Sequence, residues 1–395
     1  MQHKLKISTI AATLGLVLSQ SVTALELYKD DETTVGTRGY LRLTFESTEN
    51  SDEFTDGGSR WGLDFTRKIQ GDWTAGVTTE WAMSFEKNKN FSLNTNGGDS
   101  SLAAGDAGDA LSSRLGYVHF THDKWGSFGV GKQWGVYYDI VGVTDILAYY
   151  GGNATGVYNL GGDGGLSGTG RAEQALTWRK SFGNFNLGLQ FQAQDEDVIL
   201  NVEACDDVEE DTPEDDFCKA IDGLDLGTVG NGYGIALSYK FDNLWFGVSN
   251  NTTEIEANDN AGILGFSGTV DDTITALAAT WGTNGDGIYV AAAVATSEFH
   301  ELDNEGNYID ANGSEFIAKY SLDSGFSFYG GFNMLESDQS GNDYEMAYTY
   351  VGTDYQFMNG VGFIFLEAKV NDNTNANGSS GNDDTDLALG VRVNL

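Results

Sequence analysis

A chain of 395 residues with 59 Asp+Glu against 21 Lys+Arg carries a formal charge of −38, which counts against nucleic acid as a partner because phosphate binding needs a basic surface. It holds 53 Gly and a single proline, Pro213, and proline removes a ladder donor, so the composition suits a chain made mostly of paired strands. Beyond the N-terminus no apolar run approaches the roughly 20 residues of a membrane helix, but a barrel alternates lipid-facing and lumen-facing residues and averages out polar.

Residues 1–24 read as a cleavable export signal. Lys4 and Lys6 precede the apolar ISTIAATLGLVL, and Val22 and Ala24 suit cleavage after Ala24. Cleavage lowers the basic count from 21 to 19 and takes the formal charge from −38 to −40, leaving one domain over 25–395. Segments of about 9 to 13 residues with period-2 alternation then follow, the length that crosses a bilayer core when tilted. RGYLRLTFES (Arg38–Ser47) sets Leu41, Leu43 and Phe45 against Tyr40, Arg42 and Thr44. SRWGLDFTRK (Ser59–Lys68) sets Trp61, Leu63 and Phe65 against Arg60, Gly62 and Asp64. Trp73–Lys87 sets Val77, Trp81, Met83 and Phe85 against Glu80 and Ser84. Leu111–His122 and Trp125–Trp134 pair around Asp123-Lys124, and strands resume at Thr169–Lys180. Ten more run from Phe185–Gln194 to Thr385–Leu395, which brings the expected total to sixteen.

Connection lengths alternate. Tight ones, such as Asp242-Asn243 and Thr283–Asp286, fall between long ones rich in Asp, Asn, Gly and Ser: Asn88–Ala110, Gly135–Gly168, Asn201–Thr228, Ala257–Gly268 and Asn371–Asp384. Tight turns on one side and long loops on the other predict an all-β, transmembrane antiparallel β-barrel of 16 strands. One long connection, Gly135–Gly168, is too aromatic and apolar to lie in water and too glycine-rich to be a strand, so it is expected to pack inside something. In Asn201–Thr228, Cys205 and Cys218 enclose CDDVEEDTPEDDFC's twelve inner residues. Exported chains fold in an oxidising compartment, which predicts a disulfide closing this outward loop, opened by reduction with the barrel left assembled. Further soft ligands for a metal site are missing there, and eight neighbouring carboxylates would raise a catalytic thiol's pKa.

These residues resemble the trimeric general diffusion porins of Gram-negative outer membranes. LELYKDDETTVGTRGYLRL resembles that family's opening, GKQWGVYYDIVGVTDILAYYGGN its strand-five exit and third loop, and GRAEQALTWRKSFGNFNLGLQFQ the next hairpin. The resemblance implies an inward-folded constriction loop at Gly135–Gly168, a homotrimer, and outer-membrane lipid and lipopolysaccharide as surroundings. It also carries wall arginines onto Arg60, Arg114 and Arg171, and the loop carboxylate onto Asp145. Arg60 lies on the polar face of its strand, and alternation sets Arg114 opposite Leu115 and Tyr117, and Arg171 opposite Leu176 and Trp178. A charge facing lipid costs ~2–4 kcal/mol at the midplane, so all three are expected to point inward. Arg42, on the same face as Tyr40 where the family's lysine falls, and Glu80 and Glu173 complete the expected constriction. Tyr149 and Asn153 stand where the family has further acids, and Leu395 stands where it has a terminal phenylalanine.

The function this implies is passive diffusion of ions and small hydrophilic solutes through a water-filled channel, with no cofactor, metal or catalytic step. An acidic mouth predicts a preference for cations. Two other readings stand beside it. A barrel enzyme needs an acid–histidine or Ser/His/Asp constellation, and His119 and His122 have nothing nucleophilic beside them at recognisable spacing. A binding barrel would be a substrate-specific channel, an adhesin or a phage receptor. The group Tyr137, Tyr138, Tyr149 and Tyr150 suits either a sugar slide or a packed loop core.

Overall fold

The computed structural model describes residues 25–84, 89–96, 99–106, 111–158, 163–200, 224–260, 268–357 and 360–395, with the backbone alone for 89–96 and 99–106. The expected export signal and the Cys205–Cys218 bridge lie outside these residues. Sixteen antiparallel strands form the barrel. The first eight are β1 (Thr33–Ser47), β2 (Arg60–Lys68), β3 (Thr74–Met83), β4 (Leu111–His122), β5 (Gly126–Trp134), β6 (Arg171–Phe182), β7 (Phe185–Gln192) and β8 (Leu224–Phe241). The second eight are β9 (Leu244–Ala257), β10 (Gly268–Thr283), β11 (Asp286–Leu302), β12 (Tyr308–Ser321), β13 (Phe326–Ser337), β14 (Glu345–Phe357), β15 (Gly362–Asn371) and β16 (Thr385–Asn394). β16 returns to β1, with Tyr40 opposite Asn394 and Ser47 opposite Leu387, so the sheet closes and no edge remains. Short strands at Glu26–Lys29, Asp52–Thr55 and Glu196–Leu200 extend its rims.

The alternation read from sequence sorts the two faces of the wall. Leu41, Leu43, Val118, Phe120, Leu389 and Val391 stand exposed on the outside, where lipid covers them. Thr44, Glu80, Gln190, Asn251 and Glu367 lie buried on the inside. Trp125, Phe182, Phe241, Trp281, Phe326 and Tyr355 are exposed beside the tight turns, as expected of an interfacial aromatic belt. Several strands outrun their expected limits. β8 begins at Leu224 inside the expected loop Asn201–Thr228, where it pairs with Glu196–Leu200 and sets Val229, buried, opposite Ile255 of β9.

The apolar core sits inside the barrel. The described parts of the connection Gly135–Gly168, residues 135–158 and 163–168, fold inward and open with one helical turn, α1 (Tyr138–Val141), which buries Tyr138, Ile140 and Val141. Val136, Ile140 and Val143 pack on Ala236, Ala278, Ala291, Ala293 and Ile317 of β8, β10, β11 and β12. Small inward side chains on this wall leave room for the loop's large ones. Burying each of those three loop side chains contributes roughly 1.5–3 kcal/mol, which a glycine-rich segment in water would forgo. Gly313 marks the closest approach, since a Cβ there would run into the carbonyl of Ala154.

Candidate pore constriction

Polar side chains of the wall fix the loop's position. Gln190 accepts from the Val136 N–H at 2.9 Å and donates to the Gly168 carbonyl at 2.9 Å, holding both ends of the loop on β7. Asn251 donates to Ser167 O at 2.7 Å, and the Tyr289 hydroxyl to Val143 O at 2.9 Å. Glu315 accepts from Ala154 N at 2.8 Å, from Thr155 Oγ1 at 3.0 Å and from the Thr144 hydroxyl. Glu367 accepts the N–H groups of Ala148, Tyr149 and Tyr150 at 2.8, 3.0 and 2.9 Å, and the Tyr329 hydroxyl at 2.9 Å. Three successive backbone donors on one carboxylate make an anion nest turned to structural use. His300 is wholly buried and lies between Asp272 Oδ1 at 2.5 Å and Gly156 O at 2.8 Å. This acid–histidine pair therefore grips the loop, and its second ring nitrogen meets a carbonyl where a hydrolase would set a nucleophile.

Tyr137, Tyr138 and Tyr150 are buried, and Tyr138 stacks on Trp134 with ring centroids 4.1 Å apart. These rings are loop core.

Opposite the loop stands a basic wall built by β16, β1, β2 and β4. Arg38, Arg42 and Arg60 reach the lumen by strand alternation. Arg114 reaches it otherwise, which corrects the sequence reading. Leu115 and Tyr117 face inward with Glu80 and Thr78, their cross-strand partners, so alternation alone would turn Arg114 to lipid. The β4 register shifts beside Glu80, where Leu115 pairs with Glu80 and Ser113 with Trp81. Arg114 is thus the extra residue of a bulge, and the bulge re-aims it. Glu80, 4 % exposed, receives Arg114 Nε at 3.0 Å and Arg38 Nε at 3.1 Å, with Arg60 at 4.0 Å.

Asp145 stays within the loop, where its carboxylate accepts from the Tyr138 hydroxyl at 2.8 Å and from Tyr158 at 3.2 Å. It forms no ion pair among the described residues. Burial raises its carboxyl above the usual range, against those two hydrogen bonds and the attraction of Arg60 and Arg42. Arg171 finds its carboxylate elsewhere, donating Nε to Asp163 at 2.9 Å. Lys132 bridges Asp163 at 3.1 Å and Glu173 at 2.6 Å. Burial would raise Asp163, but Arg171 and Lys132 outweigh it and hold the carboxyl low. Asp163, Arg38, Lys132 and Arg392 were not singled out from sequence. Parity pointed to Arg38 and Arg392, which share the inward face with Tyr40 and Ala388, whereas nothing marked Asp163 among the loop's polar residues. No group of three or more His, Cys, Asp or Glu among the described residues could hold a metal ion.

A closed sixteen-stranded barrel with a loop folded across an arginine-lined lumen defines a porin of the outer membrane. The family model for Gram-negative porins matches residues 41–394, and the chain belongs to that family. It is 23% identical over 401 residues to outer membrane porin PhoE of Escherichia coli (strain K12), covering 98% of this chain and 99% of that one. With outer membrane protein S2 of Salmonella typhi it shares 26% identity over 381 residues, 90% of this chain and 85% of the other. Among solved structures, Salmonella typhi OmpF in complex with daunomycin superposes with a TM-score of 0.65 at 17% identity, over 93% of this chain and 99% of that one. The trimer form of Vibrio cholerae OmpT gives 0.60 at 15% identity, over 92% and 99%. An anion-selective porin from Comamonas acidovorans gives 0.62 at 14%, over 92% and 99%. At these identities the structures share the fold alone.

Proposed function

We propose that this porin is a general diffusion channel, assembled as a homotrimer in lipid and lipopolysaccharide, that passes ions and small hydrophilic solutes without a chemical step. The observation that carries the reading is the loop held across the lumen, which narrows a water-filled barrel. Trimeric assembly rests on the family and on the trimer form of OmpT. Arg60, Arg114 and Arg171, with Arg42, Glu80, Asp145 and Glu173, line the narrow zone. Replacing any of the first three with serine is expected to raise permeability to larger sugars in a liposome-swelling assay. Unchanged sieving in all three variants would put the narrow zone elsewhere.

The channel prefers cations. Glu305, Asp338, Asp343, Asp372 and Asp383 stand exposed on the long-loop side, and the mature chain's excess of acid concentrates cations at that mouth. The field reaches about 8–10 Å at physiological ionic strength, so the preference should fade as salt rises. Single-channel conductance with a reversal potential of cationic sign at low salt is the expected result, and an anionic sign would overturn the preference. Acidification should weaken it. Asp145, its carboxyl raised by burial, loses its charge at a higher pH than an ordinary carboxylate, while the arginines keep theirs.

A further inference from the structure

The lumen's basic residues divide into two kinds. Arg38 and Arg114 close on Glu80, Arg171 closes on Asp163, and Arg179 closes on Asp139 at 2.6 Å. Around Tyr40 the pattern changes. Arg392 Cζ lies 3.7 Å from the Tyr40 ring centroid, Arg60 Cζ 4.4 Å and Arg42 Cζ 5.7 Å. Arg42 and Arg392 stand directly opposite each other in the β1–β16 register, an arrangement in which like charges repel. Neither forms an ion pair with a carboxylate among the described residues. Arg392, 6 % exposed, donates through Nε to Asn394 Oδ1 at 3.0 Å, and its fork of terminal nitrogens has no protein acceptor among the described residues. Arg42 gives one terminal nitrogen to the Ala148 carbonyl, and its Nε is buried without a partner. Arg60 reaches Glu80 only at 4.0 Å.

A phenol ring eases this crowding through its π-face, but it cannot accept the in-plane N–H groups that a guanidinium fork presents. Asp145 attracts Arg60 and Arg42 from a distance and is already held by Tyr138 and Tyr158. What the three forks lack is a planar or tetrahedral group of oxygens. We infer that Arg42, Arg60 and Arg392, gathered round Tyr40, form a station in the lumen for one compact oxyanion, a carboxylate or a phosphate group. Bidentate recognition by such forks is charge-assisted and directional, so an oxyanion should bind where chloride only passes. An occupied station obstructs the path, which leaves small cations as the main carriers.

The station rests on the pore reading, and planar-bilayer recording separates the two. Inorganic phosphate or succinate is added at fixed ionic strength to the purified wild-type protein and to Arg392→Gln, Arg392→Lys and Arg42→Gln. Brief interruptions of current are expected in the wild type, with dwell times about tenfold longer than in Arg392→Gln, the size of one lost charge-assisted hydrogen bond. Arg392→Lys, which keeps the charge and loses the fork, should fall between them. Interruption by one of the two anions alone identifies the group recognised. A conducting channel that neither anion interrupts overturns the station alone, as does an Arg392→Gln channel interrupted like wild type when Arg42→Gln behaves the same way. A protein that inserts without conducting overturns the pore and the station together.

Discussion

Glu80→Gln should lower the cation-to-anion permeability ratio several-fold and destabilise the barrel by about 3 kcal/mol, the low end of what breaking a buried ion pair costs. Glu80 is the shared partner of Arg38, Arg114 and, more loosely, Arg60, so its neutralisation leaves three guanidinium groups with one carboxylate fewer. The low end applies because the side chains of Arg38 and Arg114 keep 22% and 16% of their exposure and water can screen them. Glutamine also retains one oxygen for the Arg114 or Arg38 donor. Selectivity should move further than stability, since no other wall carboxylate among the described residues closes on Arg114. Reversal potential in a salt gradient measures the first effect, and the midpoint of heat- or urea-induced barrel unfolding the second. An unmoved reversal potential would show that Glu80 lies off the ion path.

The second large effect concerns the grip on the loop. Glu367→Ala removes the acceptor for three backbone N–H groups and the Tyr329 hydroxyl together. Each donor left buried and unpaired costs ~1–3 kcal/mol. Together the four would cost roughly 4–12 kcal/mol if they stayed buried, so the tip at Ala148–Tyr150 should leave the wall before the barrel melts. The expected outcome is an unfolding midpoint near that of wild type with a much noisier open-channel current, including frequent partial closures. Thr144, Ala154 and Thr155 still hold Glu315, so the loop on either side of the tip should remain seated. A quiet, single-level current would mean that the apolar contacts alone hold the tip.

The barrel was legible in the sequence because strand alternation and loop length are local properties. Leu41, Leu43 and Phe45 against Tyr40, Arg42 and Thr44 state a wall with two solvents, and the closing strand Thr385–Asn394 repeats the pattern. The inward loop was legible from its misfit, being too apolar for water and too rich in glycine for a strand. Pairings across the lumen were not legible. Arg171 meets Asp163, eight residues away in the chain, whereas Asp145 turns to Tyr138 and Tyr158, and only the loop's path decides between them. Arg114 shows a second limit. Its inward position was expected for a parity that does not hold, and a bulge with no signature of its own supplies the result. Arg392 is far from Arg42 in the chain and became its neighbour only when the last strand met the first.

A thin-walled tube resists bending along its length better than it resists being squashed into an oval. This one carries an internal spoke. The loop that begins at Val136 is tied to Gln190 on β7, Asn251 on β9, His300 on β11, Glu315 on β12 and Glu367 on β15, and Arg42 on β1 adds a tie at Ala148. Ovalisation under lateral membrane pressure would have to stretch some of these ties and compress others at once. The cross-section, and with it the gauge of the opening, should therefore hold steady as the surrounding bilayer changes in tension or thickness.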